Sequence, residues 1–170
     1  MTLAGQRDAF AELVVRYERA VYHLAVRLLR SVEEAEDATQ ETFLRAFRSL
    51  ETYRPSARFS TWILAIAYHA ACDRLAKRRR ISSSELPDLA DVAPGPAAVF
   101  EANDDAACLR AAIDQLPDKY RAVITLYHVQ GRQYEQIAEV LGLPLGTVKT
   151  HLFRAKEHLR RALALSGRSG

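Results

Sequence analysis

The sequence predicts an all-α protein: two small helical domains joined by a flexible acidic linker, the second ending in a helix-turn-helix. Three observations predict it. Apolar residues recur at three- and four-residue spacing through the long segments on either side of residues 82–107. Between those segments, Ser82–Ala107 opens with three serines, holds three of the six prolines and has no cation. Near the end, Gln133–Ala162 reads as two helices joined by a tight turn at Gly142 and Pro144.

Composition narrows the function classes. The 170 residues allow one ordinary domain or two small ones, and 49% hydrophobic content is enough for real cores. No run approaches the roughly 18 apolar residues of a membrane helix, so no membrane insertion is expected. The opening MTLAGQRDAF has charges where a signal peptide has its apolar segment, so a soluble, cytoplasmic protein is expected. Cys72 and Cys108 lack metal-ligand spacing, and the five histidines do not cluster. There is no Gly-rich phosphate loop, nucleophile elbow or carboxylate pair, so no enzyme, metal or cofactor is expected.

Charge is unevenly distributed. Residues 1–81 carry 14 basic and 10 acidic side chains, residues 82–107 none and 6, and residues 108–170 carry 10 and 5. Two basic domains, 1–81 and 108–170, thus flank an acidic linker, 82–107, which suits nucleic acid at both ends.

Taking the elements in order, Phe10, Leu13, Val14, Tyr17, Val21, Leu24 and Leu28 mark an amphipathic helix from Asp8 to Arg30. A second helix, Val32 to Leu50, has five acids and no cation before Leu44. Ala35, Ala38, Thr42, Phe43, Ala46 and Leu50 can face its core. That turns Asp37, Gln40, Glu41 and Leu44 outward, as a solvated face or as a docking surface for a basic protein partner.

Tyr53–Trp62 then interleaves aromatics with Arg54 and Arg58. This composition suits stacking of unpaired bases with phosphate neutralisation, while Phe59 and Trp62 can equally plug a core. Ser60 or Thr61 is a candidate cap for the third helix, Thr61 to Arg80. Trp62, Ile66, His69 and Asp73 share one stripe of it, and Arg74, Lys77, Arg78, Arg79 and Arg80 make its end a phosphate-binding candidate.

The linker can stretch at most ~85 Å, enough to span two turns of duplex, about 68 Å. Beyond it, Leu109, Ile113 and Leu116 give a short helix. Pro117 opens the next, lined by Tyr120, Val123, Ile124 and Tyr127 and ended by Gln130-Gly131. In the last helix Leu145, Val148, Leu152, Ala155 and Leu159 form an apolar stripe. Thr150, Arg154 and Arg161 lie opposite it, with Lys149, Lys156 and Arg160 on one flank and His151 and His158 on the other. A basic, apolar-backed second helix after a tight turn specifies a DNA-reading helix-turn-helix. The tail SGRSG is expected to fray.

Three segments in this order, EAEDATQETFLRAFRSL, FSTWILAIA with its Asp73 and basic tail, and YEQIAEVLGLPLGTVKTHLFRAKEHLR, resemble the extracytoplasmic-function sigma factors of bacterial RNA polymerase. The resemblance covers Asp8 to Leu163. It implies region two in 1–81, region four in 108–170, and a factor that makes polymerase promoter-specific. The implied core-polymerase contacts are Glu36, Asp37, Gln40, Glu41 and Leu44 on the clamp helices of the largest subunit. The resemblance further implies that region four sits on the flap of the second-largest subunit and that the linker threads the cleft.

For the downstream (−10) element, held as single strand, the implied residues are Arg54, Arg58, Phe59, Trp62, His69, Asp73, Arg74, Lys77 and Arg78. For the upstream (−35) duplex they are Thr147, Lys149, Thr150, His151, Arg154 and Arg161. An anti-sigma factor is a further implied partner. The chain departs from the family pattern at Ala65 and Tyr68, often arginine, at His69, often asparagine, at His151, often arginine, and at Pro55, often glycine. The competing reading is a stand-alone helix-turn-helix regulator, which leaves the acidic helix and the aromatic loop unused.

Overall fold

The computed structural model describes residues 3–84 and 104–166, and these fall into two separate helical units without a strand among the described residues. The first unit holds α1 (Leu3–Leu29), α2 (Val32–Arg48) and α3 (Phe59–Ser84). Its core meets along Val21, Leu24, Leu28 and Leu29 of α1, Ala35, Ala38, Phe43 and Ala46 of α2, and Ile63, Leu64, Ala67, Ala70 and Ala71 of α3. The alanines let the helices approach closely, and the large side chains fill the gaps between them. Each fully buried leucine or isoleucine contributes roughly 1.5–3 kcal/mol.

The ends of these helices follow from local chemistry. Arg30 ends α1 in the left-handed region (φ 54°), donating its N–H to Val26. Ser31 then caps α2, its hydroxyl accepting the Glu34 N–H at 3.2 Å. After α2 a short 3-10 turn, Leu50–Thr52, leads into the aromatic loop. The start of α3 corrects the expectation at Ser60 and Thr61. The helix begins at Phe59, the Arg58 carbonyl accepts from Thr61 and Trp62 N–H, and Thr61 is buried inside the first turn. Because α3 runs to Ser84 and the next helix starts at Asp104, the expected linker 82–107 is trimmed at both ends. Its remainder and residues 167–170 of the tail lie outside the described residues.

The second unit holds α4 (Asp104–Asp114), α5 (Asp118–Ile124), a π-helical turn (Thr125–Val129), α6 (Tyr134–Leu141) and α7 (Leu145–Ser166). Ile113, Leu116, Val123, Ile124, Leu126, Ile137, Val140, Val148, Leu152 and Ala155 form its core. Two sequence expectations are corrected here. Leu109 is exposed, because burial of α4 begins only at Ile113. Tyr127 is only half-buried, because the wider turn, closed by Gln130 N–H to the Thr125 carbonyl, rotates it away from the core and onto Tyr134, 5.3 Å between rings.

At the junction of α4 and α5 stands a fully buried arginine. Arg121 donates to the backbone carbonyls of Leu116 (2.8 Å) and Asp114 (3.2 Å) and pairs with Asp118 at 2.5 Å. Those carbonyls lie at the C-terminal end of α4, where intrahelical partners run out. The guanidinium therefore closes one helix and fixes the start of the next.

Candidate nucleic-acid interface

In the second unit the turn between α6 and α7 is built by Gly142 and Pro144. Gly142 adopts φ 63°, and its N–H and that of Leu143 return to the Ala138 carbonyl. The Pro144 carbonyl accepts from Thr147 and Val148, starting α7 immediately. A reciprocal pair, Gln133 and Gln136, caps α6.

Burial of Val148, Leu152, Ala155 and Leu159 fixes the rotation of α7. Lys149, Thr150, Arg154 and Arg161 are consequently exposed, and Thr147 is half-buried beside them. The Thr150 hydroxyl donates to the Gly146 carbonyl at 3.0 Å, which holds its side chain in one rotamer on that face. Lys156 leans over the Tyr127 ring, 5.2 Å from its centroid, and Arg160 pairs with Glu157.

His151 turns inward, unlike the other expected contacts on this helix. Its ring meets Tyr120 edge-on at 5.5 Å, and His158 lies against the same tyrosine at 5.5 Å. Burial, with the nearby charges of Lys119 and Arg154, holds the His151 imidazole below its ordinary pKa. The ring is a packing element of α5 and α7, because the flank it occupies borders the apolar stripe.

One exposed residue of α7 escaped sequence reasoning. Phe153 is 66% exposed, next to Arg154 and one turn after Lys149 and Thr150. The signal was present: Phe153 falls off the stripe of Val148, Leu152, Ala155 and Leu159, so helical geometry alone turns it outward. A free aromatic ring among cations is suited to apolar contact with a base edge.

In the first unit the aromatic loop is ordered by its own rings. Tyr53, Phe59 and Trp62 lie 5.1–5.4 Å from one another, and Tyr17 of α1 reaches Phe59 at 5.3 Å. The Tyr53 hydroxyl donates to the Ala57 carbonyl at 2.7 Å, closing the loop around Pro55 and Ser56. Phe59 and Trp62 are half-buried in this cluster, whereas Arg54 and Arg58 are exposed on either side of the turn. The rings therefore provide a fixed apolar edge and the arginines its charges.

His69 is exposed on α3, with Nδ1–H donating to the Ala65 carbonyl at 2.8 Å. A carbonyl can only accept, so the ring nitrogen facing Ala65 carries a proton.

On α2 the residues Glu36, Asp37, Gln40 and Leu44 are exposed, Leu44 by 52%, and Glu41 is half-buried. Several of these acids reach α3. Arg45 bonds Glu41 at 2.8 Å and Asp73 at 2.9 Å, and Arg74 lies 3.7 Å from Asp37. The Glu41–Arg45 hydrogen bond holds the Glu41 carboxyl below its ordinary pKa and raises that of Arg45. Arg78 pairs with Glu34 and also donates to the Leu29 carbonyl at 3.1 Å, so it anchors the α1–α2 junction. Asp73, Arg74 and Arg78 are thus engaged with neighbouring helices, while Lys77 is exposed. Arg45 is the second residue that sequence reasoning missed, although its position four after Glu41 predicts the pair.

Among the described residues no cluster of three His, Cys, Asp or Glu could hold a metal ion, and no helix is long and apolar enough to cross a membrane.

Residues 13–81 match the family model of Sigma-70 region 2, and residues 106–159 that of Sigma-70 region 4. The chain is 35% identical to the ECF RNA polymerase sigma factor SigW of Bacillus subtilis, over 94% of this chain and 91% of that protein. It is 38% identical to the ECF RNA polymerase sigma factor SigE of Mycolicibacterium smegmatis, over 90% of this chain but only 61% of that one. Its fold resembles that of the sigma factor RpoE, solved with the anti-sigma factor NepR from Bartonella quintana. That likeness has a TM-score of 0.73 at 22% identity and covers 92% of this chain and 97% of the other. With region 2 and region 4 in order and full-length likeness to such factors, this chain belongs to the extracytoplasmic-function sigma factors, the subunits that direct bacterial RNA polymerase to specific promoters.

Proposed function

We propose that the three exposed surfaces divide the work of promoter recognition among them. The α2 face of Glu36, Asp37, Gln40, Glu41 and Leu44 docks on the clamp helices of the largest polymerase subunit. The loop of Arg54, Arg58, Phe59 and Trp62, continued by His69, Arg74 and Lys77, holds the unpaired non-template strand of the −10 element. Helix α7 reads the −35 duplex through Lys149, Thr150, Phe153 and Arg154, with Thr147 and Arg161 on phosphates, while its unit sits on the flap of the second-largest subunit. The chain acts in the cytoplasm without chemistry of its own, under the control of an anti-sigma factor. The observation that carries this reading is the coexistence, in one unit, of an exposed acidic face around Leu44 and an exposed arginine pair on a fixed aromatic edge. A duplex-binding regulator has no use for either.

The docking face is tested by Glu41→Lys combined with Leu44→Ala. Charge reversal in a complementary interface weakens association, and neither side chain is needed for the core. The double variant should bind core polymerase at least tenfold more weakly, about 1.4 kcal/mol, with an unchanged melting temperature. Undiminished affinity in a binding titration contradicts the assignment.

The reading helix makes a different prediction. Loss of a base contact costs about 1–3 kcal/mol and relaxes preference at one base pair, whereas loss of a phosphate contact weakens all sequences alike. Arg154→Ala and Phe153→Ala should each change the preferred −35 sequence, and Arg161→Ala should lower binding uniformly. A promoter-variant series checks this: one flat loss shared by all three variants contradicts it.

A further inference from the structure

We infer that Lys119, His151 and Arg154 form a phosphate-binding strip across α5 and α7, where His151 takes up a proton as duplex DNA binds. The inference rests on the reading of α7 as the −35 helix and adds α5 to that surface. Lys119 and Arg154 are exposed, and His151, half-buried, lies within reach of both charges. Tyr120 holds the first two together. Its ring meets His151 edge-on at 5.5 Å, and the Lys119 ammonium lies 5.1 Å from its centroid. Arg154 follows His151 by three residues, on the neighbouring turn of α7.

The free strip keeps its histidine neutral. His151 Nδ1 is buried without a hydrogen-bond partner, and burial disfavours the charged ring. The charges that act on it, Lys119 from α5 and Arg154 on α7, are both cations. The titratable rings beside it are Tyr120 and, on the same tyrosine, His158. Helices α4 and α6 also pack on α7, but among the described residues no carboxylate of theirs acts on the imidazole.

A duplex reverses this balance. Its phosphates neutralise Lys119 and Arg154 and give the imidazolium an anionic acceptor, so the bound state favours the proton. The His151 pKa is therefore higher on DNA than in the free chain. By linkage, the added binding is complete below the free pKa and is lost as pH rises through the bound pKa. Below that window the strip holds three cations, above it two.

The test uses holoenzyme assembled from the full chain and core polymerase. The probe is a fluorescent duplex bearing only the −35 element of a promoter that this holoenzyme transcribes. From about pH 8 to 6 its affinity should rise threefold to tenfold, since one proton allows at most about tenfold per pH unit. His151→Gln should remove that rise. His158→Gln, which touches the same tyrosine from the same helix, should keep it. Lys119→Gln should weaken binding to every duplex sequence and make its salt dependence shallower by about 0.9. Proton NMR of the imidazoles in the parent chain, with and without this duplex, gives a reading that needs no variant. The His151 resonance should titrate at higher pH when the duplex is bound.

An equal rise in His151→Gln, a His151 pKa that duplex leaves unmoved, or an unchanged salt slope in Lys119→Gln each overturns the inference. Failure of the −35 assignment itself shows separately, as unaltered promoter preference in Arg154→Ala.

Discussion

Arg121→Ala should destabilise the second unit by about 3 kcal/mol, because a buried and a part-buried carbonyl at the end of α4 lose charge-assisted hydrogen bonds. The Asp118 pair adds little, since that carboxylate is 38% exposed. The geometry explains why the loss is large: the guanidinium alone reaches both Asp114 and Leu116 carbonyls while its stem packs in the core. Arg121→Lys keeps the charge but replaces a planar fork by a single ammonium, so it should recover only part of the stability. The one tryptophan, Trp62, lies in the first unit and makes the measurement separable. In denaturant titrations the Trp62 fluorescence transition should stay in place while part of the helical circular-dichroism transition moves to lower denaturant. Coincident, unshifted transitions contradict the role given to Arg121.

Strand capture carries the second large effect. Bases exposed as the duplex opens restack unless they are held. Stacking on an aromatic contributes roughly 1–3 kcal/mol per base, comparable to the few kcal/mol needed to extrude one. Tyr53, Phe59 and Trp62 are locked against one another and Tyr17, so mutating them disturbs the first unit as well as its surface. Arg54 and Arg58 are exposed and provide the cleaner probe. Their joint replacement by alanine should leave folding and core binding intact and reduce open-complex formation about tenfold. The salt dependence of strand binding should become shallower by about 1.4, from two lost phosphate contacts. A template already unpaired at the −10 element should restore part of the activity. Permanganate reactivity of thymines on both templates reads this out, and normal opening of intact duplex by the double variant removes the loop from the mechanism.

The periodic features were legible in the sequence, and the side-chain destinations were less so. Gly142 and Pro144 announced the turn that presents α7, and the stripe Val148, Leu152, Ala155 and Leu159 set its rotation. Likewise Ala35, Ala38, Thr42, Phe43 and Ala46 turned the acids of α2 outward. What composition could not assign was competition among partners. Arg78 reads as one more cation of a basic run, yet it is held by Glu34 and the Leu29 carbonyl, 44 and 49 residues earlier. His151 reads as a flank residue, but its ring is drawn against Tyr120. Arg121 falls outside the apolar pattern of its short helix, yet it is the most buried charged side chain among the described residues of the second unit. The π turn at Thr125–Val129 leaves no mark in spacing, because one extra residue per turn shifts faces without changing residue types. For Arg78 and His151 a contact distant in sequence overrode the local pattern, and for Arg121 and the π turn a backbone group a few residues away did.

The division of labour among the α2 face, the aromatic loop and α7 is tested most directly by run-off transcription with purified core polymerase on a library of genomic promoter fragments. With the parent chain, transcripts should start downstream of one shared pair of −35 and −10 elements. Arg154→Ala should shift the selected −35 sequence only. The Arg54 and Arg58 double variant should select the same promoters but depend on pre-opened −10 templates, and the Glu41 and Leu44 variant should lose transcripts from all of them together. Unaltered −35 selection by Arg154→Ala, or equal and indiscriminate losses from all three variants, contradicts that assignment of surfaces.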